Sequence, residues 1–185
     1  MFEELMIRHC SPTLAGLKTG NIFTCLCSSM TEVNHNIRRL NQKLTPKGLR
    51  VIPMKRLNSR VLIYVYRPGR LKEDFSKSAV RQILDEHGYE QCNPQQCIIK
   101  LMERLQQEEF PHEIGLFLGY PPEDVRGFIE NKAACSKCTG CWKVYGDHTE
   151  AEKLFTRYRK CTAAYCEQWK KGREIEKLAV ADTLQ

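Results

Sequence analysis

The sequence has no long hydrophobic run and no recognisable targeting segment. Its longest apolar stretch covers residues 61–66, far short of the roughly 20 apolar residues that a membrane-spanning helix needs. The first ten residues, MFEELMIRHC, contain two glutamates and no basic segment ahead of an apolar run, so they do not predict a signal peptide. We therefore expect a soluble, cytoplasmic protein that does not contact a membrane.

Acidic residues are absent from residues 33–72, although the whole chain contains 22 of them. The same segment contains eleven of the 29 basic residues, and this segregation of charge predicts a surface that attracts anions. No Walker loop, G-x-G-x-x-G motif or helix-turn-helix accompanies it, so the anion is not specified. The pattern predicts either a phosphate-bearing ligand, such as a nucleotide or nucleic acid, or an acidic protein partner. The candidate anion-binding residues are Arg38, Arg39, Arg56 and Arg67.

Apolar periodicity predicts a mostly helical α+β domain around a small, mainly antiparallel sheet. One helix is predicted from an apolar stripe at spacings of four, three and four: Val33, Ile37, Leu40 and Leu44. Residues 49–55 and 60–66 predict a β-hairpin whose second strand is central. Pro53 restricts the first strand to an edge or a bulge. We place a single domain at residues 1–172 and a C-terminal tail at 173–185.

Caps and turn residues predict where several helices begin and end. Ser11 and Pro12 are typical of a helix start, which predicts a break between an N-terminal helix and a second short one. Residues 71–87 predict one continuous helix that ends before Gly88. Thr149 and Glu152 form a capping-box pattern at the start of a long C-terminal helix.

Ten cysteines are many for an intracellular protein. Secreted disulfide frameworks belong to short chains behind a signal sequence, so these cysteines are expected to be thiols, metal ligands or redox groups. We interpret four of them as structural: Cys25, Cys27, Cys92 and Cys97.

Three further cysteines, at positions 135, 138 and 141, are separated by two residues each. This spacing lets successive thiolates point at one centre, as iron–sulfur and zinc sites require. A fourth ligand is needed, for which Cys166 is the first candidate and Cys161 and Cys10 are alternatives. The ferredoxin pattern, with a close fourth cysteine followed by proline, is absent. The loop is therefore either a metal site formed by Cys135, Cys138, Cys141 and Cys166, or a redox-active thiol loop.

Candidate catalytic residues lie in two other segments. Cys10 precedes the predicted helix start, where the helix dipole favours a thiolate, and Lys18 would add to this effect. His112 and Glu113 are of the types that act in acid–base catalysis. Adjacent residues on a helix point in different directions, so they are not expected to act as a simple pair. The structural alternatives are a partly buried Cys10 at a turn and a His112 that caps a helix.

The segments HCSPTLAGLK, VLIYVYRP, FPHEIGLFLGYPPEDVRGFIENK and WKVY together resemble an uncharacterised bacterial family. This domain of unknown function has about the length of the present chain and is found largely in anaerobic clostridia and their relatives. The resemblance covers nearly the whole chain and implies one small intracellular domain in an anaerobic host. It implies no activity, cofactor or catalytic residue.

Three hypotheses about function follow from these patterns. The first is a metal-binding or thiol-redox accessory protein that uses the cysteine loop. The second is an enzyme with Cys10 as its nucleophile or redox thiol, near Lys18, His112 and Glu113. The third is an anion-binding module that uses the basic segment at residues 33–72.

Overall fold

Strongly β-prone residues form a three-stranded sheet in the computed structural model, which describes residues 2–182. The strands are β1 (Gly20–Leu26), β2 (Arg50–Leu57) and β3 (Arg60–Tyr66). Both pairings are antiparallel and the strand order is β1-β3-β2, which confirms β3 as the central strand. The register of β2 shifts between Pro53 and Lys55, so the predicted irregularity at this proline is confirmed.

Helices account for most of the remaining described elements. They are α1 (Phe2–Leu14), α2 (Met30–Leu44), α3 (Pro68–Ser76), α4 (Ser78–Glu86), α5 (Pro94–Arg104), α6 (Ile114–Phe117), α7 (Pro122–Glu130), α8 (His148–Lys170) and α9 (Ile175–Leu178). A 3-10 turn covers Thr45–Lys47, and two short strands, β4 (Cys138–Thr139) and β5 (Lys143–Val144), form a second antiparallel pair. The α+β prediction is therefore confirmed.

The chain divides into two compact units. The first contains the described residues up to Gly69 and those from Tyr158 onward, and the second covers Arg70–Arg157. That residues 1–172 form a single domain stays a prediction. Within residues 2–182, no helix combines the length and the apolar character needed to cross a membrane.

One face of the three-stranded sheet carries the core of the first unit. Alternate strand residues on this face pack against the inner sides of α1 and α2, because successive side chains of a strand point to opposite faces. The predicted stripe of α2 is buried at all four positions. The residues of α9 join the same core, so part of the segment expected to be a tail is buried.

Three predicted helix boundaries were wrong. Pro12 lies inside α1 rather than at a new helix start, because in the last turn a proline costs only one backbone hydrogen bond. The helix expected at residues 71–87 is broken at Lys77, between α3 and α4. Asp147, and not the predicted Thr149, caps α8, since its Oδ1 accepts hydrogen bonds from the backbone N–H groups of Thr149 and Glu150.

Candidate functional site

Residues 135–145 of the second unit form a small hairpin that we call the cysteine hairpin. Strands β4 and β5 pair Cys138 with Val144 and Thr139 with Lys143. Cys135 is exposed and has a φ of 57°, in the left-handed region that side chains seldom adopt. Cys141 lies exposed in the connection between the two strands. The hairpin therefore presents two of its three thiols to solvent.

The carboxylate of Asp124 anchors this hairpin to α7. Its Oδ2 accepts a hydrogen bond of 2.7 Å from the indole Nε1 of Trp142. Its Oδ1 accepts the backbone N–H groups of Tyr145 and Gly146, both at 2.7 Å. Asp124 is only 3% exposed, so all three bonds form away from bulk water, where charge-assisted hydrogen bonds are strong.

Aromatic stacking fixes the orientation of the Trp142 ring. It stacks on Tyr120 at a centroid distance of 4.6 Å and meets the edge of Phe155 at the same distance. The backbone of Gly140 approaches Phe155 so closely that a Cβ at this position would lie 2.2 Å from its ring. Only glycine fits there.

A groove of about 370 Å³ lies beside the anchored hairpin. We call it the second-unit groove. Aromatic side chains from four segments form much of its wall: Phe110, Tyr120, Phe128 and Trp142. Its size and its mainly apolar lining are typical of sites for small organic ligands.

Two residues singled out from the sequence line this same groove. His112 and Cys141 both line it, although 28 residues lie between them in the chain. The imidazole of His112 is exposed and lies 4.9 Å from the ring of Phe128, centroid to centroid. The groove therefore combines an apolar surface with a histidine, which donates and accepts hydrogen bonds, and with a thiol.

Glu113, next in the chain, is buried elsewhere in the second unit. Its Oε1 accepts a hydrogen bond of 3.0 Å from the Tyr89 hydroxyl and forms an ion pair with Arg104. At 1% exposure the carboxylate is removed from solvent and from any substrate. Burial, followed by the charge of Glu113, raises the pKa of Tyr89. These contacts favour a structural role for Glu113, as in the alternative considered for this segment.

Cys10 and Lys18 belong to the core region of the first unit. Cys10 is fully buried in α1, and this burial raises the pKa of its thiol despite the opposing charge of nearby Lys18. A protonated, inaccessible thiol is a poor nucleophile. Lys18 is itself only 5% exposed. The geometry therefore favours the structural alternative for Cys10.

The four predicted metal ligands are not assembled. Among residues 2–182, no group of three or more His, Cys, Asp or Glu side chains is positioned to hold a metal ion. Cys166 packs against the core of the first unit, whereas Cys135, Cys138 and Cys141 belong to the second unit. Metal binding by this set stays a prediction that rests on spacing.

Arg67 is one of the candidate anion-binding residues, but it does not lie at the surface. It is fully buried, and its guanidinium donates to the carbonyls of Thr13, Leu14, Lys47 and Val180 and to the carboxylate of Asp182. Because these contacts occupy all five of its N–H donors, Arg67 is a structural cation.

The other three candidates lie at the surface of the first unit. Arg38 and Arg56 are exposed, and Arg39 forms an ion pair of 2.9 Å with Glu3. Arg39 also lines a wide cavity of about 840 Å³, but two carboxylates, Glu3 and Glu32, share that lining. Anion binding by the basic segment stays a prediction, and this cavity does not favour it.

Sequence reasoning missed Asp124 and the aromatic wall. In the sequence, Asp124 shows only as an acidic residue near the start of a helix. The adjacent Pro121-Pro122 pair and the later Trp142 were visible signals, but the bond between Asp124 and Trp142 joins residues 18 positions apart. No short-range pattern predicts such a contact.

Comparison with known proteins identifies a family and no function. No curated protein and no solved structure matches the chain. A family described as "Protein of unknown function (DUF3793)" matches residues 6–179, which include most of the first unit, the whole second unit and the second-unit groove. Since the match covers almost the whole sequence, the chain belongs to the DUF3793 family.

Proposed function

We propose that this protein binds a small, planar and mainly apolar molecule in the second-unit groove, with the Cys141 thiol beside it. The observation that carries the proposal is the joint lining of the groove by aromatic rings, His112 and Cys141. This combines the thiol-dependent role predicted for the cysteine loop with a site that can select a ligand. It also assigns the reactive thiol to Cys141 instead of Cys10.

Planar ligands are favoured by the shape and chemistry of the walls. Tyr120 and Trp142 stack on each other, and His112 lies against Phe128, so flat surfaces border the groove. Aromatic rings in such a setting attract other rings through offset stacking and burial of apolar surface. The imidazole supplies a polar contact that orients the ligand.

The hydrogen bonds of Asp124 support a preformed groove. They fix both the indole of Trp142 and the backbone at Tyr145 and Gly146 before any ligand enters. A site that is already ordered does not lose conformational entropy on binding, which favours affinity.

Alkylation of cysteines with iodoacetamide, followed by peptide mass spectrometry, tests the proposal. The probe ligand is 1-anilinonaphthalene-8-sulfonate, an aromatic molecule that contains a flat naphthalene ring. Cys141 lines the groove and Cys135 does not, although both are exposed, so Cys135 is a control within the same molecule. At a probe concentration ten times its dissociation constant, we expect alkylation of Cys141 to slow about tenfold, by mass action, while Cys135 is unaffected.

A pair of variants separates binding in the groove from binding elsewhere. Thr139→Trp fills the groove from an exposed lining position, and Thr24→Trp places the same ring on an exposed strand position of the first unit. Protection of Cys141 should disappear in Thr139→Trp and persist in Thr24→Trp. Equal slowing at Cys135 and Cys141, or protection that survives Thr139→Trp, would contradict the proposal.

Metal binding by the cysteine hairpin is a separate proposal with its own test. It is supported by the two-residue spacing of the three cysteines and by the exposure of Cys135 and Cys141 to solvent. Elemental analysis and a visible spectrum of protein purified without oxygen measure it directly. Stoichiometric iron or zinc that is lost in Cys138→Ser would support this role, whereas an unchanged metal content in that variant would assign the metal to other residues.

A further inference from the structure

The start of α5 brings two cysteines of the second unit together. Cys92 precedes the helix and Cys97 lies in its first turns, with the N-cap Asn93 between them. The Cys97 Sγ lies 3.7 Å from the backbone carbonyl oxygen of Cys92. The Cys92 thiol also contributes to the raised pKa of Cys97, as expected for two neighbouring side chains. The Cys97 side chain therefore already lies against the residue that carries the second thiol.

Arg81 adds a positive charge to this pair. Its guanidinium donates a hydrogen bond of 3.1 Å to the Cys92 carbonyl. Arg81 also contacts Asp85 on α4 at 3.4 Å. The positive charge of Arg81 lowers the pKa of Cys97 and so partly offsets the larger effect of burial, which favours the thiolate that attacks in the second step of an exchange.

Accessibility distinguishes the two thiols. Cys92 is half-buried, whereas Cys97 is fully buried. Burial, and then the neighbouring Cys92, raise the pKa of Cys97 to about 11 from its ordinary value of 9.0. Cys92 is thus placed to meet an incoming reagent, and Cys97 is placed to react only with Cys92.

We propose that Cys92 and Cys97 form a dithiol site that exchanges with low-molecular-weight disulfides. The Cys92 thiolate attacks one sulfur of the disulfide, whose sulfur–sulfur bond breaks and releases one thiolate. The Cys97 thiolate then attacks the Cys92 sulfur of the mixed disulfide and releases the second thiolate. The protein loses two electrons and two protons, and the small disulfide is reduced to two thiols.

This site uses no residue of the second-unit groove, so it is independent of the function proposed above. It also changes the interpretation of Cys92 and Cys97, which the sequence alone suggested were structural. The chemistry requires no metal and no residue of the cysteine hairpin.

Oxidised glutathione is the probe, and tryptic peptides give a direct readout. Cleavage after Arg81 and Lys100 yields residues 82–100, a peptide that contains Cys92 and Cys97 and no other cysteine. After treatment and quenching with an alkylating reagent, we expect this peptide to be lighter by two hydrogens and to carry no alkyl group. Cys135, on a different tryptic peptide, reports the reaction of an exposed thiol in the same sample.

Single variants assign the two roles. In Cys97→Ser, Cys92 should accumulate a glutathione adduct, since no second thiol is present to displace it. In Cys92→Ser, Cys97 should form that adduct at about one tenth of the rate of Cys92 or more slowly still, because Cys97 is buried and mostly protonated. Circular dichroism of each variant checks that it is folded.

Two results would overturn the proposal. One is a wild-type peptide that is alkylated at both cysteines once Cys135 is fully glutathionylated. The other is equal adduct formation in folded Cys92→Ser and Cys97→Ser, which would mean that the two thiols react as unrelated cysteines. The wild-type measurement decides the question even if a variant does not fold.

Discussion

Individual polar residues hold this protein together at points where the chain is otherwise irregular. Asp124 connects α7 to the cysteine hairpin, and Arg67 connects the end of α1 to the segment after α9. Both side chains are buried, and each forms hydrogen bonds to several backbone groups. At this scale the charges of Asp124 and Arg67 have a structural role.

Asp124→Asn should destabilise the protein by about 1–3 kcal/mol. The asparagine amide has one oxygen, which accepts hydrogen bonds, and one NH₂ group, which donates them. If the oxygen faces the backbone N–H groups, the NH₂ group faces the Trp142 indole, which is also a donor. If the oxygen faces the indole, the backbone N–H groups lose their acceptor. Urea unfolding followed by circular dichroism measures the change in the free energy of unfolding.

Trp142→Phe supplies the matched control for that change because it removes the indole donor and keeps an aromatic ring. In the double variant the two losses should be less than additive, since both remove the same hydrogen bond. Full additivity would show that the bond between Asp124 and Trp142 contributes nothing to stability.

At the scale of elements, an amide side chain protects one edge of the sheet. Among the strands of residues 2–182, β2 pairs with β3 alone, so no strand pairs with the backbone groups on its other edge. Asn41 on α2 donates to the Val51 carbonyl at 2.8 Å and accepts from the Val51 N–H at 2.9 Å. Through this one side chain, α2 forms hydrogen bonds with the edge of β2.

Asn41→Ala should cost about 1–3 kcal/mol, because it leaves both backbone groups of the buried Val51 without these partners. We also expect more light scattering on heating, since an uncovered strand edge promotes association. Gln42→Ala, at the neighbouring exposed position, is the control and should change stability by no more than about 0.5 kcal/mol. Equal effects of the two variants would exclude the protective role of Asn41.

At the scale of the whole molecule, the C-terminal segment completes the first unit. Ile175 and Leu178 are buried in its core, and the carbonyls of Ala179 and Val180 accept hydrogen bonds from Lys47 and Arg67. From the sequence, residues 173–185 are expected to form a tail, since they are few and show no long periodic pattern. Their burial depends on a core that distant residues build.

Deletion of residues 173–185 should therefore destabilise the protein by about 3 kcal/mol or more, from lost apolar burial alone. The loss also leaves the buried guanidinium of Arg67 without Asp182 and the Val180 carbonyl, which adds to the cost. The midpoint of urea unfolding measures the effect.

A shorter deletion, of the residues after Asp182, is the control because it removes none of these contacts. We expect it to unfold at a higher urea concentration than the protein that lacks residues 173–185. If the longer deletion were as stable as the full chain, residues 173–185 would be a tail, as the sequence suggests.

Local sequence patterns predicted the elements that depend on neighbouring residues. The stripe of α2, the hairpin of β2 and β3 and the irregularity at Pro53 were predicted correctly, since periodicity and turn chemistry act over a few residues. The break between α3 and α4 and the continuity of α1 through Pro12 were not, because tertiary packing outweighs a weak local preference.

Residue type identified several candidates for chemistry but did not determine their surroundings. Cys10 and Cys141 have the same side chain, yet one is enclosed by the core and the other lies exposed at a groove. Likewise His112 and Glu113 are neighbours in the chain but differ in exposure and in contacts. Accessibility and pKa depend on the residues that surround a group in space, which sequence spacing does not specify.

The sequence by itself determined the α+β class, the central strand, the amphipathic α2 and membership of the DUF3793 family. Each follows from the order of residue types along the chain. Only the tertiary structure decided that His112 and Cys141 line one groove, that Asp124 holds Trp142, and that Arg67 is a buried structural cation. These contacts join residues 18 or more positions apart, and their formation depends on how whole helices and strands pack.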